Sequence, residues 1–194
     1  TKAFWKLHVV YYANNTIAKS EYGSGSGSVA YQKTFKKPDQ NLTFSYSIDA
    51  SPMNSDITNT VDPEFNYISY SKHSVNNATG IEHTIQADYY DPLTKKHFIE
   101  TGIKYILRQN TSDSDVKVYD DATGTWVDDP SKINDLDYDQ HIGSMYGGYV
   151  FKHKSLTAKG GFRMEYTLND GISKSHDGNV TFTNKQFDVV PYIN

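Results

Sequence analysis

The sequence predicts an all-β fold, an antiparallel β-sandwich of Ig-like or jelly-roll-like topology with an N-terminal extended strand arm. Three observations support this fold class. Apolar and polar residues alternate with a period of two, Asn-, Asp-, Gly- and Pro-containing turns separate the alternating segments, and helical periodicity is nearly missing. About ten short strands at this spacing are typical of a sandwich or a barrel.

The first thirty residues predict an arm and a tether. Residues 3–12 alternate, with Lys6 and His8 on the polar side. Residues 23–28 are an uninterrupted Gly/Ser run, which as a flexible coil spans about 13 Å. We therefore expect a strand arm over 1–22, a tether over 23–28 and a β-sandwich domain over 29–194. The apolar side of the arm carries Ala3, Trp5, Leu7, Val9 and Tyr11.

The strands of the body follow from the same alternation. Segments 42–48, 81–89 and 162–168 each have one polar and one apolar side, as expected of an antiparallel sheet packed on one face. Turn-forming sequences lie at 76–80, 91–96, 120–124, 169–171 and 176–179. A capping Asp129 before Pro130 predicts one or two helical turns. Further strands are predicted at 29–35, 65–70, 98–107, 116–119, 149–154, 179–183 and 187–193.

Charge and composition argue against a nucleic-acid partner, cysteine-based sites and a membrane-spanning helix. The net charge is -4, the sequence pI is about 5.9, and Lys and Arg are not clustered, so we expect no nucleic-acid partner. Cysteine is absent, which excludes disulfides and thiolate metal sites. No run approaches the roughly 18 to 20 apolar residues of a membrane-spanning helix, and we therefore predict no membrane span.

Asn-x-Ser/Thr motifs favour an extracellular or cell-surface glycoprotein. An Asn/Thr-rich surface whose motifs are unused is the alternative. The candidate glycosylation sites are Asn14, Asn41, Asn77, Asn110 and Asn179.

No catalytic motif emerges, and we predict that the protein is not an enzyme. The Gly/Ser run lacks the Gly-x-Ser-x-Gly phase of a nucleophile elbow, and the histidines show no metal-binding spacing. Asp135, Asp137 and Asp139 resemble the start of a calcium loop, although Gln140 stands where the loop glycine belongs. We therefore predict no cofactor and interpret these residues as solvated turn aspartates, with bound calcium as the alternative.

Aromatic residues suggest a glycan site, because sugar faces stack on Trp and Tyr rings. The candidates are Trp126, beside two aspartates, and the Tyr-rich segment with Tyr146 and Tyr149. The alternative is that tyrosine is simply a preferred strand residue with an amphipathic tip.

An arm, a tether and an all-β body together resemble the subunits of donor-strand-exchange fibres, the pilins and related surface threads. The resemblance implies that the five apolar arm residues complete the sandwich of the next subunit, so that copies of the chain polymerise head-to-tail. It implies a structural subunit of an extracellular filament or pilus. The alternative function is a monomeric secreted carbohydrate-binding or adhesive module.

The arm itself has other interpretations. Residues 3–12 could be the first strand of their own sandwich, with 23–28 as a surface loop, or the Gly/Ser run could be an artificial linker. Residues 14–22 could form a second strand that is hairpinned to the first through 13–16.

Overall fold

The computed structural model describes residues 11–65 and 70–194 of the 194-residue chain. These residues form one antiparallel sheet of nine strands with a single 3₁₀ turn, Pro130–Lys132. The strands are β1 (Tyr11–Tyr22), β2 (Gly25–Thr34), β3 (Asn41–Phe65), β4 (Lys72–Pro92), β5 (His97–Asp120), β6 (Thr125–Asp128), β7 (Asn134–His153), β8 (Leu156–Ser175) and β9 (Gly178–Ile193).

The sheet is an antiparallel meander of long strands. The order is β1-β3-β4-β5-β7-β8-β9, while β2 also pairs with β3 and β6 with the end of β5. β1 and β2 follow one another along the same side of β3, because Tyr22 lies opposite Met53 and Gly25 opposite Ala50. The break between them lies opposite Pro52, whose backbone O accepts a 2.9 Å hydrogen bond from Gly23 N.

The all-β, antiparallel class is confirmed, but the predicted sandwich is wrong. In the part of the chain that the structure describes, a single sheet is present and no second sheet packs on it. The buried apolar residues are few, and all lie on one face of β5 and β7: Phe98, Ile106, Val116, Ile142 and Val150. The apolar side of each strand therefore does not enter a core between two sheets.

The N-terminal region differs from the predicted arm. Ala3, Trp5, Leu7 and Val9 lie outside the described residues, and Tyr11 begins β1 opposite Phe65. β1 runs through 13–16 without the turn that we considered, and it pairs with β3 of its own chain. Residues 25–28 of the Gly/Ser run belong to β2 instead of a flexible coil. The division into 1–22, 23–28 and 29–194 stays a prediction.

The turns fall at the two ends of the sheet. Turns 93–96 and 121–124 lie where the sequence predicts them, and so does the 3₁₀ turn, in which Asp129 Oδ1 accepts from Ser131 N. The turns predicted at 76–80 and 169–171 are wrong, because these residues lie inside β4 and β8. We call the end with turns 35–40, 93–96 and 154–155 the Lys-rich end, and the end with turns 121–124 and 176–177 the Asp-rich end.

Among residues 11–65 and 70–194, no helix has the length and apolar character needed to cross a membrane.

Candidate functional site: the two faces of the sheet

Period-two alternation separates the side chains into an inner and an outer face. The register places Glu82, Arg108 and Gln140 side by side on the inner face, with Ser144 further along the same face. Ile85, Tyr105 and Gly143 are side by side on the outer face. All five buried apolar residues are on the inner face, so this face is the more enclosed of the two. Polar side chains nevertheless dominate it.

The outer face is apolar and exposed over one part of the sheet, which we call the apolar belt. Ile85, Ile103 and Met145, on three neighbouring strands, are 55%, 61% and 53% exposed. A water-soluble protein rarely leaves so continuous an apolar surface uncovered. The belt comprises Val29, Tyr31, Leu42, Phe44, Tyr46, Ile48, Ile81, Ile85, Tyr89, Ile99, Ile103, Tyr105, Leu107, Met145, Tyr149, Phe162, Met164, Tyr166, Leu168, Phe187, Val189 and Ile193.

The belt is close to the Lys-rich end and stops well short of the Asp-rich end. On β5 it covers residues 99–107, which is about 30 Å of strand. The following residues, 108–120, are polar on the outer face and continue for about 40 Å more. We call this polar part of the sheet, between the belt and the Asp-rich end, the extension.

Tyrosine–histidine pairs mark the borders of the belt. Tyr46 Oη lies 2.9 Å from His83 Nδ1, and Tyr105 Oη lies 2.7 Å from His141 Nδ1, both toward the extension. Tyr149 and His97 form a third hydrogen-bonded pair near the Lys-rich end. In each pair the two rings also contact one another, and the hydrogen bond gives the polar tip of the tyrosine a partner. Such amphipathic rings are typical of the boundary between an apolar and an aqueous phase.

The inner face carries a polar ladder that crosses four strands at the edge of the belt. Arg108 Nε donates to Glu82 Oε2 at 2.5 Å, and its NH1 group donates to Gln140 Oε1 at 2.9 Å. Gln140 Nε2 then donates to Asn169 Oδ1 at 2.8 Å, and Tyr138 Oη donates to the same oxygen. Each side chain in the ladder is therefore tied to its neighbour on the next strand.

Inner-face glycines leave room for aromatic rings from nearby strands. Tyr146 extends across Gly102 and donates a hydrogen bond to Asp88 Oδ1, and a Cβ at Gly102 would overlap the tyrosine oxygen. Tyr192 covers Gly148 and Gly161 in the same way. Glycine in a strand interior often marks such a close approach. These contacts between rings and glycines add to the packing of the inner face.

The two ends of the sheet differ in charge. Exposed lysines, including Lys36, Lys95 and Lys154, lie in the turns of the Lys-rich end. Aspartates dominate the other end, where the amide of Ala122 and the hydroxyl of Thr123 hydrogen-bond Asp120 and lower the pKa of its carboxyl. The hydrogen bond from Lys174 to Asp137 raises the pKa of that lysine.

A polar inner face opposite an exposed apolar belt is the alternation of a transmembrane β-barrel strand, apolar toward lipid and polar toward the lumen. A comparison with protein families agrees, since the model of an outer membrane protein β-barrel family matches residues 33–194. The chain belongs to this outer membrane β-barrel family. Membership places it in the cell envelope, which agrees with the predicted cell-surface location in its coarse sense.

Two solved structures are similar to the chain. The ferric yersiniabactin uptake receptor FyuA from Yersinia pestis shares 8% identity at a TM-score of 0.39, over 90% of this chain and 31% of the receptor. The ferric citrate transporter FecA in its unliganded form shares 10% identity at a TM-score of 0.41, over 79% of this chain and 23% of the transporter. The chain thus spans less than a third of either structure. No curated protein matches it.

Family membership overturns the predicted function. The chain is not a pilin-like donor-strand fibre subunit, and the head-to-tail homopolymer is wrong as a partner assignment. The alternative, a soluble carbohydrate-binding or adhesive module, is wrong as well. The expected absence of a membrane span is also wrong, because members of an outer membrane β-barrel family cross the bilayer with strands.

The structure separates the residues predicted for a glycan site. Trp126 lies in β6 at the Asp-rich end, against Tyr119 and His73. Tyr146 and Tyr149 are both in β7 but on opposite faces. These three side chains do not form one site.

The aspartates considered as calcium ligands lie along β7 in the extension. Asp135 Oδ1 accepts a hydrogen bond from Ser114 N at 2.8 Å, and Asp137 forms a 2.6 Å ion pair with Lys174. Asp139, the third of these aspartates, lies opposite Gln109 on β5 and Asp170 on β8. Among the described residues no cluster of three or more His, Asp or Glu is arranged to hold a metal ion. Bound calcium stays an alternative, and the glycosylation sites, which fall in β1, β3, β4, β5 and β9, stay predictions.

Lys104, Arg108 and Arg163, three inner-face cations in the belt or at its edge, were not predicted as functional residues. The sequence signal that could locate them is their position in the period-two alternation. They occupy polar positions of strands whose other positions are apolar, as Glu82 and Glu165 do.

Proposed function

We propose that the chain forms part of the wall of an outer-membrane barrel that carries polar solutes through its lumen. One observation supports this most directly. At the same level of the sheet, the outer face is apolar and exposed while the inner face carries charged and amide side chains. A lipid environment favours such an outer face, and a water-filled lumen favours such an inner face.

The height of the belt fits a bilayer. Residues 99–107 of β5 supply nine positions, and a tilted transmembrane strand needs about 9 to 11. With a tilt of about 45°, this length corresponds to a band close to the roughly 25 Å that is typical of outer-membrane barrels. The tyrosine–histidine pairs would then lie near the two headgroup regions.

The position of the belt suggests an orientation. Outer-membrane barrels have short periplasmic turns, and their longer connections are extracellular. The Lys-rich end meets the belt within a few residues, at turns 93–96 and 154–155, so it would face the periplasm. The extension would then project from the outer surface of the cell and present the Asp-rich end to the medium.

We also propose that the sheet is part of a closed barrel. Within the described residues, β9 is not paired with β1 or β2, so the sheet has two free edges. Unpaired backbone N–H and C=O groups are costly in hydrocarbon, because no water can satisfy them. Further strands would therefore complete the barrel around the polar face.

The protein would act by binding and passage and would catalyse no reaction. The inner-face side chains support this role because they are tied to one another, as in the Glu82–Arg108–Gln140 ladder. Such a ladder gives the lumen wall a fixed set of hydrogen-bonding groups along the route of a solute.

Cysteine labelling in intact cells tests the proposed orientation. The chain has no cysteine, so Ala122→Cys at the Asp-rich end and Lys95→Cys at the Lys-rich end each create a unique target. A membrane-impermeant maleimide should label Ala122→Cys in intact cells. Lys95→Cys should react only after the outer membrane has been permeabilised.

The two variants control for each other, because both sites are exposed turns. Labelling of Lys95→Cys alone in intact cells would reverse the orientation. Equal labelling of both in the soluble fraction, with none in the membrane fraction, would overturn the proposal that the belt is embedded.

A further inference from the structure

A concavity of about 460 Å³ on the inner face has an unusual lining. It contains two cations, Lys104 and Arg163, and no carboxylate. Between them lies Ser144, which is 8% exposed and is one of the few buried polar residues among those described. The rings of Tyr146 and Tyr192 form part of its wall.

The sheet register brings the two cations to the same place. Lys104 on β5 lies directly opposite Ser144 on β7, and Arg163 on β8 lies opposite Tyr146, two residues further along β7. Lys104 and Arg163 therefore stand on either side of β7, about 12 Å apart in backbone position. Their side chains are long enough to converge over the small Ser144, since the Arg163 NH2 group lies 3.5 Å from Ser144 Oγ.

The cations of this concavity are incompletely neutralised. Arg163 NH2 donates to Glu165 Oε2 at 2.6 Å, which uses part of a guanidinium that has five N–H donors. Lys104 is half-buried and, among the described residues, has no carboxylate within the 4.0 Å of an ion pair.

The neighbouring carboxylates already have their own partners. Asp88 accepts hydrogen bonds from Tyr146 and Gln86, and Glu82 is paired with Arg108. Glu100 is likewise paired with Lys159. The site therefore offers one ammonium group, the remaining guanidinium donors and a hydroxyl, with no free acid of its own to fill it.

We propose that this concavity binds a small oxyanion, the carboxylate or phosphate group of a solute, between Lys104 and Arg163. The ammonium and guanidinium groups bind its oxygens through charge-assisted hydrogen bonds, and Ser144 Oγ is a further donor. The tyrosine rings contact the rest of the solute. The location of this site in a barrel lumen rests on the proposed function. The site would make anionic solutes the class that the lumen recognises.

Titration of the folded, detergent-solubilised barrel that contains this chain with two probes, inorganic phosphate and succinate, tests the site. Isothermal calorimetry at low salt should find saturable binding of at least one probe, and which probe binds distinguishes a phosphate from a carboxylate site. Lys104→Gln and Arg163→Gln should each weaken binding by about tenfold or more. Lys95→Gln, a turn lysine outside the site, should leave the affinity unchanged.

Arg163→Gln also removes the partner of Glu165, so Arg163→Lys and circular dichroism of each variant distinguish lost binding from lost folding. Arg163→Lys should retain part of the affinity. The proposal is overturned if neither probe binds the folded barrel, if Lys104→Gln binds normally, or if Lys95→Gln loses as much affinity as Lys104→Gln. Because binding in detergent does not depend on orientation in cells, this outcome is separable from that of the labelling experiment.

Discussion

The belt and the extension are halves of the same strands with different relations to their surroundings. In the belt, the outer face is apolar and the inner face polar, as Ile103 and Lys104 illustrate on adjacent positions of β5. In the extension the outer face is polar as well, as at Asn54 on β3 and Asp113 on β5. Backbone pairing continues without interruption through both halves of β3 and β4. Strand pairing therefore does not depend on an apolar outer face. The apolar belt instead indicates which medium surrounds that part of the sheet.

The largest expected effect that distinguishes the two halves comes from a charge on the outer face. Ile103→Arg at the centre of the belt should destabilise the protein in lipid vesicles by about 2–4 kcal/mol. Thr111→Arg, on the same strand and face but in the extension, should cost at most about 1 kcal/mol. Equilibrium unfolding by urea from vesicles measures both. Equal costs at the two sites would contradict the membrane assignment of the belt.

A smaller effect compares the two faces within the belt. Gly102→Ala places a Cβ against the Tyr146 oxygen, displaces the ring and should cost about 1–3 kcal/mol. Gly143→Ala is the matched control, since no atom lies within 4 Å of its Cβ, and it should be neutral or slightly stabilising. The same unfolding assay applies. If the two substitutions changed the stability equally, the packing of the Tyr146 ring would not require a glycine at position 102.

The strands of the belt were largely predictable from the sequence. Segments 42–48, 81–89 and 162–168 alternate and lie in β3, β4 and β8. The environment of their apolar sides was not predictable in this way, because a sandwich strand and a barrel strand have the same local pattern. What differs is whether a second sheet or lipid covers the apolar side, and this is not a local property.

The extension was mostly missed for a different reason. Its strands carry polar residues on the outer face and a mixture of polar and apolar residues on the inner face, so the period-two signal is weak, and 76–80 and 169–171 look like turns. Their strand conformation follows from pairing with long neighbours. The inner-face cations were equally hidden, because Lys104 and Arg163 become neighbours only through the register of three strands.

The smallest effect concerns the Asp-rich end. The pKa of Asp120 lies below its unfolded value, so its hydrogen bonds to the 121–124 turn stabilise the turn above about pH 4. This stabilisation is lost as the pH falls through the folded-state pKa. Amide exchange protection at Ala122 should therefore decrease in acid. Asp120→Asn should remove that pH dependence, and an unchanged acid response in this variant would contradict the assignment.

Nitroxide scanning along β5 tests most directly the central claim, that one face of the belt contacts lipid while the opposite face contacts water. Single cysteines at 99–107 and 109–115 are spin-labelled in vesicles, and accessibility to oxygen, which enters the bilayer, is compared with accessibility to a water-soluble nickel chelate. We predict that oxygen relaxes the labels at odd positions of 99–107, that the nickel chelate relaxes those at even positions, and that the chelate reaches both in 109–115. Equal nickel accessibility at odd and even positions of 99–107 would contradict the account.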